Sequence, residues 1–186
     1  MTNTFREPIV QLRPVRDEDA PATLDAFRSA PDMSRQGPVR DLDSARTYVE
    51  WLRDGTRRST ALSDERGTMI GLVGISVDQE NRTGWFFYWL HAAWRGRGLA
   101  SQAAATVATT ALRPVSDAGW GLERLELGHR ASNPASGAAA RAAGFIHEGT
   151  ERQKFLIDGK RHDVLTYGRL PNDPVPDSPS MPWASN

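Results

Sequence analysis

Cysteine is absent from this chain of 186 residues. That excludes a disulfide framework, a thiolate zinc site and a covalent intermediate on a thiol, and it gives no reason to place the protein in an oxidising compartment. A cytoplasmic location is expected. An excess of either charge is also missing: Lys+Arg and Asp+Glu stand at 23 each. No bulk basic field exists to gather nucleic acid or an anionic membrane surface, so neither is expected as a partner and any anion binding must be local. No apolar run reaches the roughly 18 residues of a membrane span, and the first residues lack the apolar core of a signal peptide. Gly-x-Ser-x-Gly does not occur, which removes support for a hydrolase of the nucleophile-elbow type. The four histidines are scattered without His-x-x-x-His or carboxylate spacing, so no metal is expected.

The hydrophobic pattern lays out one domain over residues 1–170. Val10 to Pro14 alternates apolar and polar residues as a first strand. A helix from about Glu18 to Phe27 is expected behind an Asp17 cap, and a second from Ser44 to Arg53. Thr60 to Leu62, Met69 to Val77 and Gly84 to Leu90 read as a three-strand meander, followed by an alanine-rich helix from Leu99 to Leu112. A strand from about Glu123 to Leu127 precedes a short helix from Pro134 to Ala143 with Asn133 as its N-cap. Lys154 to Ile157 and Val164 to Arg169 flank Asp158-Gly159 as a closing hairpin, and residues 171–186 form a proline-rich tail, extended or disordered. This order implies an α+β (mixed α/β) domain with helices against a largely antiparallel sheet.

Chemistry concentrates at Arg95-Gly96-Arg97-Gly98-Leu99-Ala100, where a strand ends and a helix begins. Two glycines let backbone N–H groups turn toward an anion, and the helix behind them supplies unpaired N–H groups at its positive end. Taken alone, such a turn is more often a solvated connection. Here an aromatic strand precedes it, an alanine-rich helix follows it, and Asn133 and Gly144-Phe145 lie downstream in order.

With those neighbours the sequence resembles the GNAT superfamily of N-acetyltransferases, whose phosphate loop has the form Arg/Gln-x-x-Gly-x-Gly/Ala. Leu125-Glu126-Leu127, Asn133-Pro134-Ala135-Ser136, Gly144-Phe145, Glu148-Gly149, Asp158-Gly159, His162-Asp163 and Tyr167 look like its RimJ/RimL-like branch of ribosomal-protein N-terminal acetyltransferases. The resemblance covers roughly residues 9–170. It implies a twisted, largely antiparallel sheet of about seven strands with helices on both faces, and acetyl-CoA as co-substrate. It implies that Arg95, Gly96, Arg97, Gly98, Leu99 and Ala100 bind the pyrophosphate, that the backbone of Tyr88, Trp89 and Leu90 meets the pantetheine arm and acetyl group, and that Asn133 contacts that arm. A homodimer is left open.

Attack of a neutral amine on a thioester requires a proton acceptor, an oxyanion donor and a proton for the leaving thiolate. By the resemblance, a backbone N–H near Leu90 is the oxyanion donor. Where many relatives carry a tyrosine as the thiolate's acid, this chain has Ala140. Ser136 replaces it as the candidate, its alternative being a plain helix-start hydroxyl. Glu126 is the candidate base, its alternative being a salt bridge to Arg124 or Arg130; His129 and His162 stand behind it. The resulting expectation is direct transfer of an acetyl group to a primary amine, on a protein N-terminus or a small molecule, in a ternary complex. A non-catalytic module that binds and senses CoA is the competing reading.

Overall fold

A computed structural model describes residues 9–185. Seven strands form a single sheet in the order β1-β2-β3-β4-β5-β7-β6. They are β1 (Gln11–Pro14), β2 (Arg57–Ser63), β3 (Met69–Asp78), β4 (Thr83–Leu90), β5 (Arg124–Arg130), β6 (Ile146–Ile157) and β7 (Lys160–Arg169). All neighbours are antiparallel except β4 and β5, which run parallel because the helix between them returns the chain to the same end.

Helices α1 (Ala20–Arg28) and α2 (Leu42–Leu52) cover one face, where Phe27, Tyr48, Val49 and Leu52 meet Ala61, Leu72 and Trp89. Helices α3 (Leu99–Leu112) and α4 (Pro134–Ala142) cover the other, over Leu62, Val73, Phe86, Leu125 and Leu127. Strand alternation decides this split. Phe86, Tyr88 and Leu90 point to the α3 side, while Phe87 and Trp89 point to the α1 side. Alanines at 103, 104, 105, 108 and 111 let α3 lie close on the sheet.

Several element boundaries differ from expectation. A 3-10 turn occupies Asp17–Asp19 and α1 starts only at Ala20, because Pro21 suits a first helical turn and Asp19 is drawn inward by Arg13. The second helix begins at Leu42, capped by Asp41, whose carboxylate accepts from the Ser44 N–H at 2.8 Å. Strand β6 begins at Ile146, well before Lys154; its charged middle and two register shifts hide the alternation. Asp158 and Gly159 both take positive φ, the geometry of a two-residue hairpin turn.

The stretch after Leu170 runs back over α3 to the sheet edge. Met181 is buried, its N–H bonding Thr106 Oγ1 at 2.9 Å, and Leu12 exchanges backbone bonds with Pro182 and Ala184 at 2.8 and 2.7 Å. The tail is therefore extended and docked, satisfying the outer edge of β1.

Candidate active site

Parallel strands β4 and β5 stay hydrogen-bonded only through Thr83↔Arg124, Gly84↔Leu125 and Trp85↔Glu126. Beyond that point β4 follows β3 as far as Leu90, while β5 follows β7 as far as Arg130. The two strands splay. Into the gap open two connected depressions, a cleft of about 290 Å³ on the α3 side and a wider groove of about 860 Å³ bounded by the turn at Pro31–Arg35 and the β6–β7 hairpin.

The cleft is built around the start of α3. Gly96 and Gly98 adopt φ of +77° and +73°, conformations that cost an L-residue strain, and Gly98 is the N-cap. No side chain caps this helix, so its first N–H groups are free to bind an anion. A Cβ at Gly96 would meet nothing within 4 Å, so the surface in front of the loop is open. These features fit a pyrophosphate, and Gly96, Gly98, Leu99, Ala100 and Ser101 line the cleft.

Arg95 lines it too, yet its guanidinium is turned sideways. Nη1 donates to both oxygens of Asp32 at 3.0 Å and Nε to the Leu90 carbonyl at 3.0 Å, tying the phosphate loop to the turn on the other side of the splay. Arg97 lies outside the lining; it folds back over the Trp94 ring and donates to the Ala93 carbonyl. Trp89 presents only backbone to the cleft, since its ring is buried against Phe27 and its Nε1–H donates to Tyr48 Oη at 3.1 Å. That buried hydroxyl is pushed up to about 12 by desolvation.

At the inner end of the cleft, Asn133 Oδ1 accepts from the Ser136 N–H at 3.2 Å and so caps α4. Ser136 Oγ lies 2.9 Å from Tyr88 Oη, whose single proton is shared between that hydroxyl and the Ser136 carbonyl at 3.1 Å. Tyr88 comes from β4; the resemblance involves only its backbone, and its side chain carries no sequence signal for a contact with α4. Burial raises its phenol above the ordinary tyrosine value, against the opposing hydrogen bond from Ser136, so it remains a neutral donor at physiological pH.

Glu126 is placed elsewhere. Half exposed, it accepts from Arg124 Nε at 2.8 Å beside Glu148, which Arg124 also holds, and it lines neither depression. The salt bridge is its observed role. His129 is buried under α4, stacked on Tyr167, with Nδ1 2.8 Å from the Arg130 carbonyl. Among the described residues, no group of histidines and carboxylates is disposed to hold a metal ion, and no helix is long and apolar enough to cross a membrane.

An uncapped helix start behind a glycine loop, a strand splay and a hydroxyl pair at its inner end suit a CoA thioester, and they define an acyltransferase. Residues 10–146 match the family model described as an acetyltransferase (GNAT) domain, and the chain belongs to that family. It is 28% identical over 137 residues, 68% of this chain and 71% of the other, to YdaF of Bacillus subtilis (strain 168), provisionally named a ribosomal N-acetyltransferase. Its fold matches a CoA complex of the ribosomal L7/L12 α-N-protein acetyltransferase RimL, with a TM-score of 0.74 at 22% identity over 87% of this chain and 94% of that one. A chimera of the spermidine N-acetyltransferase SpeG from Vibrio cholerae and hSSAT matches with a TM-score of 0.71 at 23% identity, over 87% and 95%. The protein is thus an acetyl-CoA-dependent N-acetyltransferase, and the expected sheet of about seven strands with helices on both faces is the one observed.

Proposed function

We propose that this enzyme acetylates the α-amine of a protein N-terminus by direct transfer from acetyl-CoA, with Ser136 and Tyr88 acting together as the proton donor to the departing thiolate. The observation that carries the proposal is the Tyr88–Ser136–Asn133 chain of hydrogen bonds at the inner end of the cleft that begins with the α3 amides. In the ternary complex the amide groups from Gly96 to Ser101 bind the pyrophosphate, and the backbone of Trp89 and Leu90 lies along the acyl arm. Asn133 holds the first turn of α4 so that Ser136 Oγ stays within reach of Tyr88. A buried phenol bonded to a hydroxyl is uncharged beside the thioester before transfer and gives its proton to the departing sulfur. The attacking nitrogen loses its proton to solvent water, from which the phenol is reprotonated.

The acceptor side supports an α-amine. The carboxylates lining the two depressions are Asp32, neutralised by Arg95, and Asp158 at the hairpin turn. An α-amine, with a pKa of about 8, is substantially neutral near physiological pH without a strong base, whereas a lysine or polyamine amine near 10 is not. Protein N-termini are also the acceptor that RimL's name records.

The test is mass spectrometry of acetyl-CoA reactions with peptides bearing a free α-amine, the same peptides with a blocked α-amine and an internal lysine, and small amines. A gain of one acetyl group on the free α-amine alone is expected. Acetylation of the lysine or of small amines in preference to it would refute the assignment.

A further inference from the structure

The groove that receives the acceptor is lined by Arg35, Arg130 and Lys154 against one carboxylate, Asp158. Lys154 is paired with Glu151 at 2.6 Å. Arg35 and Arg130 are different: among the described residues neither guanidinium has a carboxylate partner. Arg35 comes from the turn after α1 and Arg130 from the end of β5, so the fold brings two like charges to one groove. Burial and the Arg35 charge both work against the Arg130 cation, with Asp32 the opposing influence. Asp32 is itself held through both oxygens by Arg95. Two arginines without a carboxylate partner, facing one groove, form a binding element for an anion.

We infer that the acceptor is acidic just behind its amine: Arg35 and Arg130 select N-terminal segments carrying Asp or Glu within the first few residues and reject polycationic amines. This rests on the proposed acetylation of α-amines and adds the acceptor's charge to it. Trp85, 39% exposed on the same groove, and Phe87 beside it give the rest of the segment an apolar wall. A carboxylate on the acceptor replaces the missing counter-charge between the two guanidinium groups, and a Lys or polyamine there adds a third positive charge instead.

The test compares peptides of one sequence with a free α-amine and Glu, Gln or Lys walked through positions 2 to 4, together with spermidine, using the full chain and acetyl-CoA. The Glu peptide is expected to exceed the Lys peptide by about tenfold or more in kcat/KM, mostly through KM, with the gap narrowing as salt shortens electrostatic reach. In Arg35→Met/Arg130→Met the ratio of Glu to Gln peptide should fall toward one, while Arg130→Lys, which keeps the charge, retains it. Equal use of the three peptides, or preference for the Lys peptide or spermidine, overturns the charge selection; equal use leaves α-amine acetylation standing. Transfer to none of the peptides overturns both.

Discussion

Tyr88 Oη and Ser136 Oγ lie 2.9 Å apart across the gap between β4 and α4, and the same phenol reaches the Ser136 carbonyl at 3.1 Å. A strand residue thereby fixes the first turn of a helix 48 positions later in the chain. The hydroxyl proposed to stand in for a tyrosine at position 140 is thus bonded to a tyrosine from another element. Removal of Ser136 Oγ in Ser136→Ala should lower kcat by about 10²-fold, within the range of proton-transfer contributions. Tyr88→Phe should lower it by a smaller factor, about 10-fold, because Ser136 remains. CoA affinity by calorimetry should change less than about twofold in both. An unaltered kcat in Ser136→Ala would reduce that hydroxyl to a structural contact with Tyr88.

Gly98 sits at φ +73° in front of the α3 amides. Gly98→Glu should abolish CoA binding by putting a negative charge where a pyrophosphate is expected, a loss of more than about 100-fold in affinity. Gly98→Ala separates strain from charge: it should cost about 1–2 kcal/mol of stability and retain measurable binding. CoA titration followed by calorimetry reads both.

The pH profile follows from two groups. The acceptor α-amine must be neutral to attack, so kcat/KM for a peptide should rise with pH and level off above the amine's own pKa of about 8. The proton donor sets the other limb. Tyr88's value is raised by burial, so its protonated form persists past the ordinary tyrosine value of about 10. No falling limb should therefore appear below about pH 10. A decline beginning near neutrality would assign the acid to another group.

Arg13 and Asp19 form a buried bidentate pair, Nη1 to Oδ2 at 2.8 Å and Nη2 to Oδ1 at 2.6 Å, on side chains that are 3% and 6% exposed. Asp19 also accepts from the Arg16 N–H, and Arg13 donates to the Gly67 carbonyl, so the pair joins β1, the start of α1 and the β2–β3 turn. Asp19→Ala leaves a buried guanidinium without its counter-charge and should destabilise the fold by about 3–5 kcal/mol. Denaturant unfolding measures it. A loss below about 1 kcal/mol would show that the pair is solvated in solution.

Much of the donor side was legible because it depends on short-range chemistry. Gly96 and Gly98 take the left-handed conformations their position between strand and helix requires, and Asn133-Pro134 starts α4 as a cap and first-turn pair should. Glu126 shows the opposite case. Strand alternation sets it on the face opposite Leu125 and Leu127, and Arg124, two residues away on the same face, holds it outside the cleft. Arg169 was not legible at all: buried, it joins the Ala143 carbonyl and Thr109 Oγ1, partners 26 and 60 positions away.

The sequence by itself determined where the glycine turn passes into a helix around residues 95–100 and which face of the helices and central strands is apolar. Those follow from φ preferences, periodicity and capping, all set within a few residues. The tertiary structure alone decided that β4 and β5 part after Trp85, that Tyr88 meets Ser136, that Arg95 turns to Asp32, and that Arg35 and Arg130 face one groove. Each of these depends on sheet order and register. A shift of one residue would turn every side chain of a strand to the other face, and a period of two carries no record of which distant element waits there.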